Sequence, residues 1–208
     1  MSNKAVLIPI KDFESAKVRL STVLDSNARA DLAKELATLV VSACLETPVF
    51  IACEDDAVES WARNLGAEIL RNPSEGLNEA VDFGFRNLSE RGFESVLITH
   101  GDLVYPSGIL SLFEMEEIVI VPDSELDGTN VLILPTNIDF EFSYGPGSYK
   151  RHLKSATMLK AEVLVISDSP FSFDLDDTDD LHHVLYTIFS GSRIRMWLPK
   201  ILKSLKER

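Results

Sequence analysis

The stretch SVLITHGDLVYP, residues 95–106, decides the fold. Val96 to Thr99 are apolar or β-branched throughout, whereas a strand with one face in water alternates apolar and polar residues. The run therefore predicts a strand that is covered on both faces, as in a parallel sheet. Asp102 follows almost directly behind it, and a carboxylate at the end of such a strand needs a binding partner. The question is what Asp102 binds.

Similar apolar runs recur along the chain with amphipathic segments between them. The sequence predicts further strands in AVLIPI, PVFIACE, AEILRN, IVIVP, VLILP and AEVLVIS. It predicts helices in DSNARADLAKELATLVVSACLE, DAVESWARNLG, GLNEAVDFGFRNLSERG, SYKRHLKSATML and TDDLHHVLYTIFS, with a short helix around Ser107–Phe113. Strands that alternate with helices form right-handed βαβ units. We therefore predict an α/β fold with a mostly parallel sheet.

Length and composition limit the class of protein. The 208 residues suffice for one α/β domain, expected over residues 1–192. The net charge of −13 argues against a nucleic-acid partner. No apolar run approaches the roughly 20 residues that span a bilayer, and the N-terminus has no signal-peptide cleavage site. We expect a cytoplasmic protein in which Cys44 and Cys53 are buried, reduced thiols.

The last segment, residues 193–208, differs in charge from the rest. It holds six basic residues and one acidic residue, a net charge of +5, so the preceding part carries −18. Such a basic amphipathic helix or tail could touch a membrane surface. Packing on its own domain or on a second subunit is the favoured interpretation, which leaves a homodimer open. No other membrane feature is found.

Ligands of an open parallel sheet bind beyond the carboxyl ends of its strands. Lys11, Asp102 and Thr129 come at such positions, and so does Asp174 after the last strand. Asp174 and Asp176 point to the same side of an extended segment, because they lie two residues apart. The intervening Leu175 then faces the core.

Carboxylates so close together repel each other unless a cation lies between them. Oxygen ligands from Asp102, Asp174 and Asp176 suit Mg²⁺. Helix capping is the alternative, because DDTDDL also resembles a helix start. We assign the other acidic residues of this segment, Asp177, Asp179 and Asp180, mostly to the start of the helix. Its N-cap is either Asp177 or Thr178.

The first loop, IPIKDFESAKVRLS, carries three cations: Lys11, Lys17 and Arg19. A protein this acidic needs local cations to bind a nucleoside triphosphate. A solvated basic face explains the same residues equally well. The chain has neither GxxxxGK[ST] nor GxGxxG, so a P-loop enzyme and a dinucleotide-binding dehydrogenase are not supported.

Small residues mark two further loops. In FSYGPGSYKRHL, Gly145 allows close backbone approach, and Ser148 begins a helix whose N-terminus suits an anion. A plain turn with a serine N-cap is the alternative. Thr129 and Asn130 offer similar donors in DGTN, and an amide in the segment Gly76–Asn78 (GLN) could contact a nucleotide base or ribose. We interpret the pair His182-His183 as structural.

Six of these stretches resemble one known family, in its order, over roughly residues 5–181. The stretches are IPIKDFESAKVRLS, GLNEAV, GDL, GTN, FSYGPGSYKRHL and FDLDDTDDL. The family is the phosphoenolpyruvate and 2-phospho-L-lactate guanylyltransferases of coenzyme F-420 biosynthesis, which are related to the molybdenum-cofactor nucleotidyltransferases. The resemblance implies a three-layer α/β/α nucleotidyltransferase fold, similar to nucleotide-diphospho-sugar transferases, and a Mg²⁺-dependent transfer of GMP from GTP.

The resemblance also implies roles for individual residues. The family's metal ligands fall on Asp102, Asp174 and Asp176. Its phospho-acid ligands fall on a threonine, a glycine and a serine, which are here Thr129, Gly145 and Ser148. Its first-loop cations correspond to Lys11, Lys17 and Arg19.

The chain departs from the family pattern at two places. The family's usual Ala-Asp-Leu-Pro-Leu is replaced by residues 101–105, GDLVY, and Asp127 adds negative charge beside the expected anion site.

The implied reaction is an in-line attack of a phosphate oxygen on the α-phosphorus of GTP. No general base is needed, since the nucleophile is already ionised, and we expect no histidine or cysteine at the sheet edge. Two other functions stay open. One is a sugar-phosphate nucleotidyltransferase or nucleotide-sugar glycosyltransferase, and the other is a non-catalytic nucleotide-binding scaffold.

Overall fold

The structure is a computed structural model that describes residues 3–71, 76–115 and 118–189. Its strands are β1 (Lys4–Pro9), β2 (Val49–Cys53), β3 (Glu68–Arg71), β4 (Ser95–Thr99), β5 (Ile118–Pro122), β6 (Thr129–Pro135) and β7 (Val163–Val165). Its helices are α1 (Ser26–Cys44), α2 (Asp56–Asn64), α3 (Leu77–Glu90), α4 (Ser148–Met158) and α5 (Thr178–Phe189). The tail predicted over residues 193–208 lies outside the described residues.

The strands form one seven-stranded sheet in the order β3-β2-β1-β4-β6-β5-β7. Six of them run parallel, and β6 runs antiparallel to both of its neighbours, β4 and β5. The loop between β5 and β6 is too short for a crossover helix, so the chain turns straight back. The strand order reverses between β1 and β4, which is where ligands of such sheets bind. The predicted mostly parallel sheet is confirmed.

Two apolar cores cover the two faces of the sheet. Side chains alternate along β1, so Val6 and Ile8 pack with α1 and α2, while Ala5 and Leu7 pack with α3 and α4 on the other face. Cys44 and Cys53 are buried free cysteines of the first core, as predicted. These layers are the three-layer α/β/α fold that the resemblance implies.

A third apolar cluster lies at the edge of the sheet that holds the ends of β1 and β4. It joins the loop after β1 to α1, α5 and the segment after β4, through Leu20, Leu24, Leu32, Leu36, Val104, Leu175, Leu181 and Val184. Leu175 is fully buried, so the prediction that it faces the core is confirmed. The cluster fixes the backbone on both sides of Leu175.

Aspartates cap the starts of two helices, and the cap of α5 is one that the sequence predicted. Asp25 caps α1 by accepting a hydrogen bond from the Ala28 N–H at 2.8 Å. Asp177 caps α5 in the same way, accepting from the N–H groups of Asp179 and Asp180 at 2.9 and 3.1 Å. Each cap satisfies backbone donors that the first helical turn leaves free.

Three local differences from the sequence prediction concern short elements. β7 is shorter than AEVLVIS, and the short helix after β4 is a 3₁₀ helix, Ile109–Glu114. A further 3₁₀ helix, Val18–Thr22, lies in the first loop, where the sequence predicted none. Within the described residues, every helix is too short or too polar to cross a membrane.

The contact between α3 and β1 gives a test of the packing. Gly84 of α3 lies against Leu7, and a Cβ atom added at Gly84 would come within 2.7 and 2.8 Å of the two Leu7 methyl groups. We expect Gly84→Ala to lower the free energy of unfolding by about 1–3 kcal/mol, because overpacking outweighs the gain in helix propensity. Urea unfolding measures this change.

The matched control is the same substitution in a Leu7→Ala background. There the clash is removed, and Gly84→Ala should stabilise the protein, by up to about 1 kcal/mol. An equal effect of Gly84→Ala in both backgrounds would show that Leu7 is not the cause.

Candidate active site

Lys17 enters the site from the first loop in an unusual backbone conformation. It precedes the 3₁₀ helix Val18–Thr22 with φ 53° and ψ 41°, the left-handed region that non-glycine residues seldom adopt. Leu20, three residues later, is fully buried in the third apolar cluster and anchors this turn. The Lys17 side chain is thereby directed inward and is only 6% exposed.

The amine of Lys17 lies between two aspartates. Its Nζ is 2.6 Å from Oδ2 of Asp102 and 2.8 Å from Oδ1 of Asp176. Burial alone would lower the pKa of Lys17, but the two carboxylates outweigh burial and raise it. Burial likewise opposes the ionised form of Asp102, yet the charge of Lys17 holds the pKa of Asp102 below its usual value. Lys17 and Asp102 are therefore ionised together at neutral pH.

A third carboxylate joins this group from the segment before α5. Leu103 and Asp174 form an antiparallel bridge, supported by a hydrogen bond from the Leu175 N–H to the Asp102 carbonyl at 3.3 Å. One oxygen each of Asp102, Asp174 and Asp176 then lies within 4.8 Å of the others. Burial, together with repulsion from the other two carboxylates, raises the pKa of Asp174 to about 7. The three aspartates that the sequence placed at one edge do meet there.

The three carboxylates of Asp102, Asp174 and Asp176 together fit a hard divalent cation. Oδ1 of Asp102 is buried and has no hydrogen-bond partner in the part of the chain that the structure describes. A buried acceptor left unpaired is costly, and a cation would satisfy it. Carboxylate oxygens from three residues are the ligands that Mg²⁺ uses. The residues present therefore fit a magnesium site.

Asn130, in β6, forms a hydrogen bond with one of the three carboxylates. Its buried side-chain amide donates to Oδ1 of Asp174 at 3.2 Å and to the carbonyl of Phe171 at 3.3 Å. The sequence predicted Asn130 as a substrate ligand. In the structure its amide holds Asp174 in place, and direct contact with a substrate stays a prediction.

Two histidines lie at this edge of the sheet, so the expectation of none is wrong. His100 directly follows β4, and its ring packs edge-on against Tyr144 with centroids 5.3 Å apart. His152 is fully buried, and its Nδ1 lies 3.0 Å from Oγ1 of Thr129. The sequence held a signal for the position of both: His100 directly follows the apolar run of the opening stretch, and His152 lies four residues after Ser148, on the same helix face.

The predicted phospho-acid residues are brought together. The hydroxyl of Ser148 lies 3.3 Å from that of Thr129, and both residues are almost fully buried. Gly145 has φ 104° and begins the turn into α4. At the start of α4, the Gly147 N–H donates to the carboxylate of Asp127 at 2.9 Å. The chain's own carboxylate thus accepts from one amide where the sequence predicted an external anion.

The remaining predicted residues lie around this centre. Lys11 and Arg19 are exposed, and neither side chain forms a hydrogen bond or salt bridge within the described ranges. Gly76 is the N-cap of α3 with φ 118°, and Oδ1 of Asn78 accepts from the Tyr144 N–H at 2.6 Å. That bond ties α3 to the turn before α4.

A cavity of about 160 Å³ opens beside Lys17 and Asp102. It lies between the first loop and the end of β4, and the rings of Phe13 and His100 line its walls.

Comparisons with known proteins show what the chain is similar to. A family model described as "Guanylyl transferase CofC like" matches residues 4–206. A phosphoenolpyruvate guanylyltransferase of Rubrobacter xylanophilus is 36% identical over 184 residues, which cover 84% of this chain and 90% of the relative. A 2-phospho-L-lactate guanylyltransferase of Methanocaldococcus jannaschii is 26% identical over 185 residues, covering 86% of this chain and 81% of the relative.

Solved structures show the same fold. One from Desulfovibrio desulfuricans G20, whose name assigns it provisionally to the nucleotide-diphospho-sugar transferases, gives a TM-score of 0.81 at 17% identity and covers 100% of this chain and 98% of its own. A 4-diphosphocytidyl-2C-methyl-D-erythritol synthase gives a TM-score of 0.56 at 15% identity, with coverage of 90% and 99%. At these identities the likeness concerns the fold alone.

The position of Lys17 generates a prediction about stability. Lys17→Met leaves the buried carboxylate of Asp102 without its cation, so we expect the free energy of unfolding to fall by about 2–4 kcal/mol. The loss is smaller than for a fully buried ion pair, because Asp176 is half exposed. MgCl₂ should restore more stability to this variant than it adds to the unaltered protein. Urea unfolding with MgCl₂, or with NaCl at matched ionic strength, measures the difference.

Lys34→Met, at an exposed lysine of α1, is the matched control and should change neither stability nor its dependence on Mg²⁺. If MgCl₂ stabilised the unaltered protein and Lys17→Met equally, the carboxylates would not be the site of the ion.

Proposed function

Because the chain belongs to the family described as "Guanylyl transferase CofC like", we propose that it transfers GMP from GTP to a small phosphorylated carboxylic acid. Its curated relatives are named for phosphoenolpyruvate and 2-phospho-L-lactate, and we propose these two acids as acceptors, in coenzyme F-420 biosynthesis. The observation that carries the proposal is the meeting of Asp102, Asp174 and Asp176 with Lys17 where the strand order reverses.

The reaction joins two anions, and this decides what the site must supply. An oxygen of the acceptor phosphate forms a bond to the α-phosphorus of GTP, and the bond from that phosphorus to the bridging oxygen breaks. Pyrophosphate leaves with the electron pair. The attacking oxygen is already ionised, so no side chain has to remove a proton. Repulsion between the reactants is the part of the barrier that the protein has to lower.

The positive charge that the reaction needs would come from a cation held by the aspartates and from the first loop. Asp102, Asp174 and Asp176 would hold Mg²⁺, which when bound supplies positive charge that screens and orients the phosphates. Lys17 is already fixed beside these carboxylates. Lys11 and Arg19 are exposed on the same loop and would contact the outer phosphates of GTP, where negative charge collects as pyrophosphate leaves.

The two substrates would bind beside the carboxylates, on residues of different elements. Thr129 begins β6, Gly145 lies in the turn before α4 and Ser148 begins α4, and we propose that these residues receive the phospho-acid. Gly76 and Asn78, at the start of α3, are proposed for the nucleotide. Both substrates are small, soluble metabolites, which agrees with the cytoplasmic location expected from the sequence. A homodimer also stays a prediction.

The two rival functions differ in the acceptor they require. A sugar-phosphate nucleotidyltransferase or a nucleotide-sugar glycosyltransferase shares this fold, but the relatives that match most of the chain are named for phospho-acids. A non-catalytic scaffold would have no use for three carboxylates around a buried lysine, an arrangement that costs stability in isolation.

The proposal is tested by incubating the protein with GTP, MgCl₂ and a mixture of phosphoenolpyruvate, 2-phospho-L-lactate and 3-phosphoglycerate. We expect pyrophosphate release and a guanylylated phospho-acid in the mass spectrum. Asp102→Asn should lower kcat/KM by about 100-fold or more, because a charge placed for the transition state is lost. The matched control, Asp31→Asn on the exposed side of α1, should keep full activity.

Three outcomes would contradict the proposal. Release of pyrophosphate only with a sugar phosphate would favour the first rival function. Absence of any Mg²⁺–GTP binding in a calorimetric titration would favour the scaffold. Full turnover by Asp102→Asn at saturating MgCl₂ would remove the carboxylates from the mechanism.

A further inference from the structure

His152 makes two hydrogen bonds that fix which ring nitrogen carries the proton. The backbone N–H of Ser143 donates to Nε2 at 2.9 Å. A backbone N–H can only donate, so Nε2 must present its lone pair and the proton of the neutral ring lies on Nδ1. Nδ1 is 3.0 Å from Oγ1 of Thr129, to which it therefore donates.

The ring stays neutral in this position. Burial lowers the pKa of His152 to about 4, and the nearby charges of Arg151 and His100 act in the same direction. The ring packs edge-on against Tyr144, with centroids 4.8 Å apart, and in a tilted arrangement against Phe140, with centroids 5.7 Å apart. A buried ring in contact with two aromatic side chains cannot turn to exchange its two nitrogens without moving them.

The series of hydrogen bonds that links His152, Thr129 and Ser148 leaves one polar hydrogen without an acceptor in the described part of the chain. Nδ1 of His152 and the hydroxyls of Thr129 and Ser148 carry three polar hydrogens, and they make two contacts with one another. Whichever hydroxyl donates to the other, one hydroxyl hydrogen, of Thr129 or of Ser148, has no acceptor among the described residues. Both hydroxyls are nearly closed to solvent, so this hydrogen is costly to leave unpaired.

The remaining hydrogen lies at the ligand edge of the sheet, because Thr129 is the first residue of β6 and Ser148 is the first residue of α4. Thr129 is followed in β6 by Asn130, whose amide holds Asp174. An oxygen that only accepts hydrogen bonds, such as one of a carboxylate or phosphate, would complete the chain. A ligand group that donates would meet another donor and be repelled.

We propose that His152 is a positioning residue that sets the direction of this hydrogen-bond chain, so that Thr129 or Ser148 donates to an anionic oxygen of the acceptor substrate. The inference rests on the proposed function and deepens it, since it assigns the side of the site that selects a fully ionised phospho-acid. His152 itself touches no substrate and acts through the two hydroxyls.

Two substitutions of His152 distinguish the roles of its two ring nitrogens. The amide nitrogen of asparagine can take the place of Nδ1 and donate to Thr129, whereas glutamine reaches the place of Nε2 and loses that donor. We expect His152→Gln to raise the KM for phosphoenolpyruvate about tenfold or more, the usual size of one lost hydrogen bond to a charged group. The kcat and the KM for GTP should change less than about threefold, and His152→Asn should restore most of the loss.

A merely structural role predicts a different pattern. Both substitutions empty part of a buried site, so both lower the urea midpoint, and a structural role would make the KM follow that loss. His182→Gln, at an exposed histidine of α5, is the control and should leave every value unchanged.

A double-mutant cycle with Thr129→Val tests the route of the effect. Because His152 acts through Thr129, adding His152→Gln to Thr129→Val should raise the KM for phosphoenolpyruvate no further. Effects that multiply would overturn the inference.

The tautomer can be read in the unaltered protein by nitrogen-15 NMR of labelled histidine, which does not depend on any variant folding. Protonation at Nδ1 of His152 is expected, and protonation at Nε2 would overturn the inference. The two proposals fail separately. If the unaltered protein transfers no GMP, the proposed function is wrong; if it does and His152→Gln keeps the KM, only the role of His152 is wrong.

Discussion

The ion pairs of Lys17 with Asp102 and Asp176 are the constraint on which the site depends. Three carboxylates cannot share one edge of a sheet without a cation, and the chain provides one from its first loop. The backbone bends into a rarely used conformation to deliver it, which costs of order 1–3 kcal/mol. Strain and buried charge together are typical of a site that is shaped for ligands rather than for stability.

The apolar cluster around Leu175 holds these charged residues together. It packs the loop after β1, the segment after β4 and the start of α5 against one another. The lysine and the three aspartates therefore come from backbone segments that are held by the same side chains. Repulsion between carboxylates is opposed by hydrophobic burial directly beneath them, so the charged groups stay close even though each prefers separation.

Much of this could be predicted from the sequence, because strong periodic signals were present. The continuous apolar run before Asp102 and the alternation around Leu175 gave the sheet, its ligand edge and the convergence of the three aspartates. The hydrogen-bond partners could not be predicted in the same way. Nothing in the pattern indicates that Asn130 would bind Asp174 or that His152 would bond to Thr129, because these contacts depend on which side chains of β6 meet the segment before α5 and which meet α4. Nor did the sequence indicate the 3₁₀ turn at Lys17, where tertiary contacts override local preference.

The reversed direction of β6 has a geometric consequence for what the protein can present to small molecules. In a purely parallel sheet, only the ends of strands reach the ligand edge, followed by loops that lead into helices. Here the beginning of one strand also arrives there, so the side chains of Thr129 and Asn130 stand on rigid sheet rather than on a loop. Its far end lies at the opposite edge, where the Thr136 N–H bonds to the Glu94 carbonyl at 3.0 Å. The polypeptide must then travel back along the sheet before α4 can begin, and that return path delivers a glycine-rich corner opposite the aspartates.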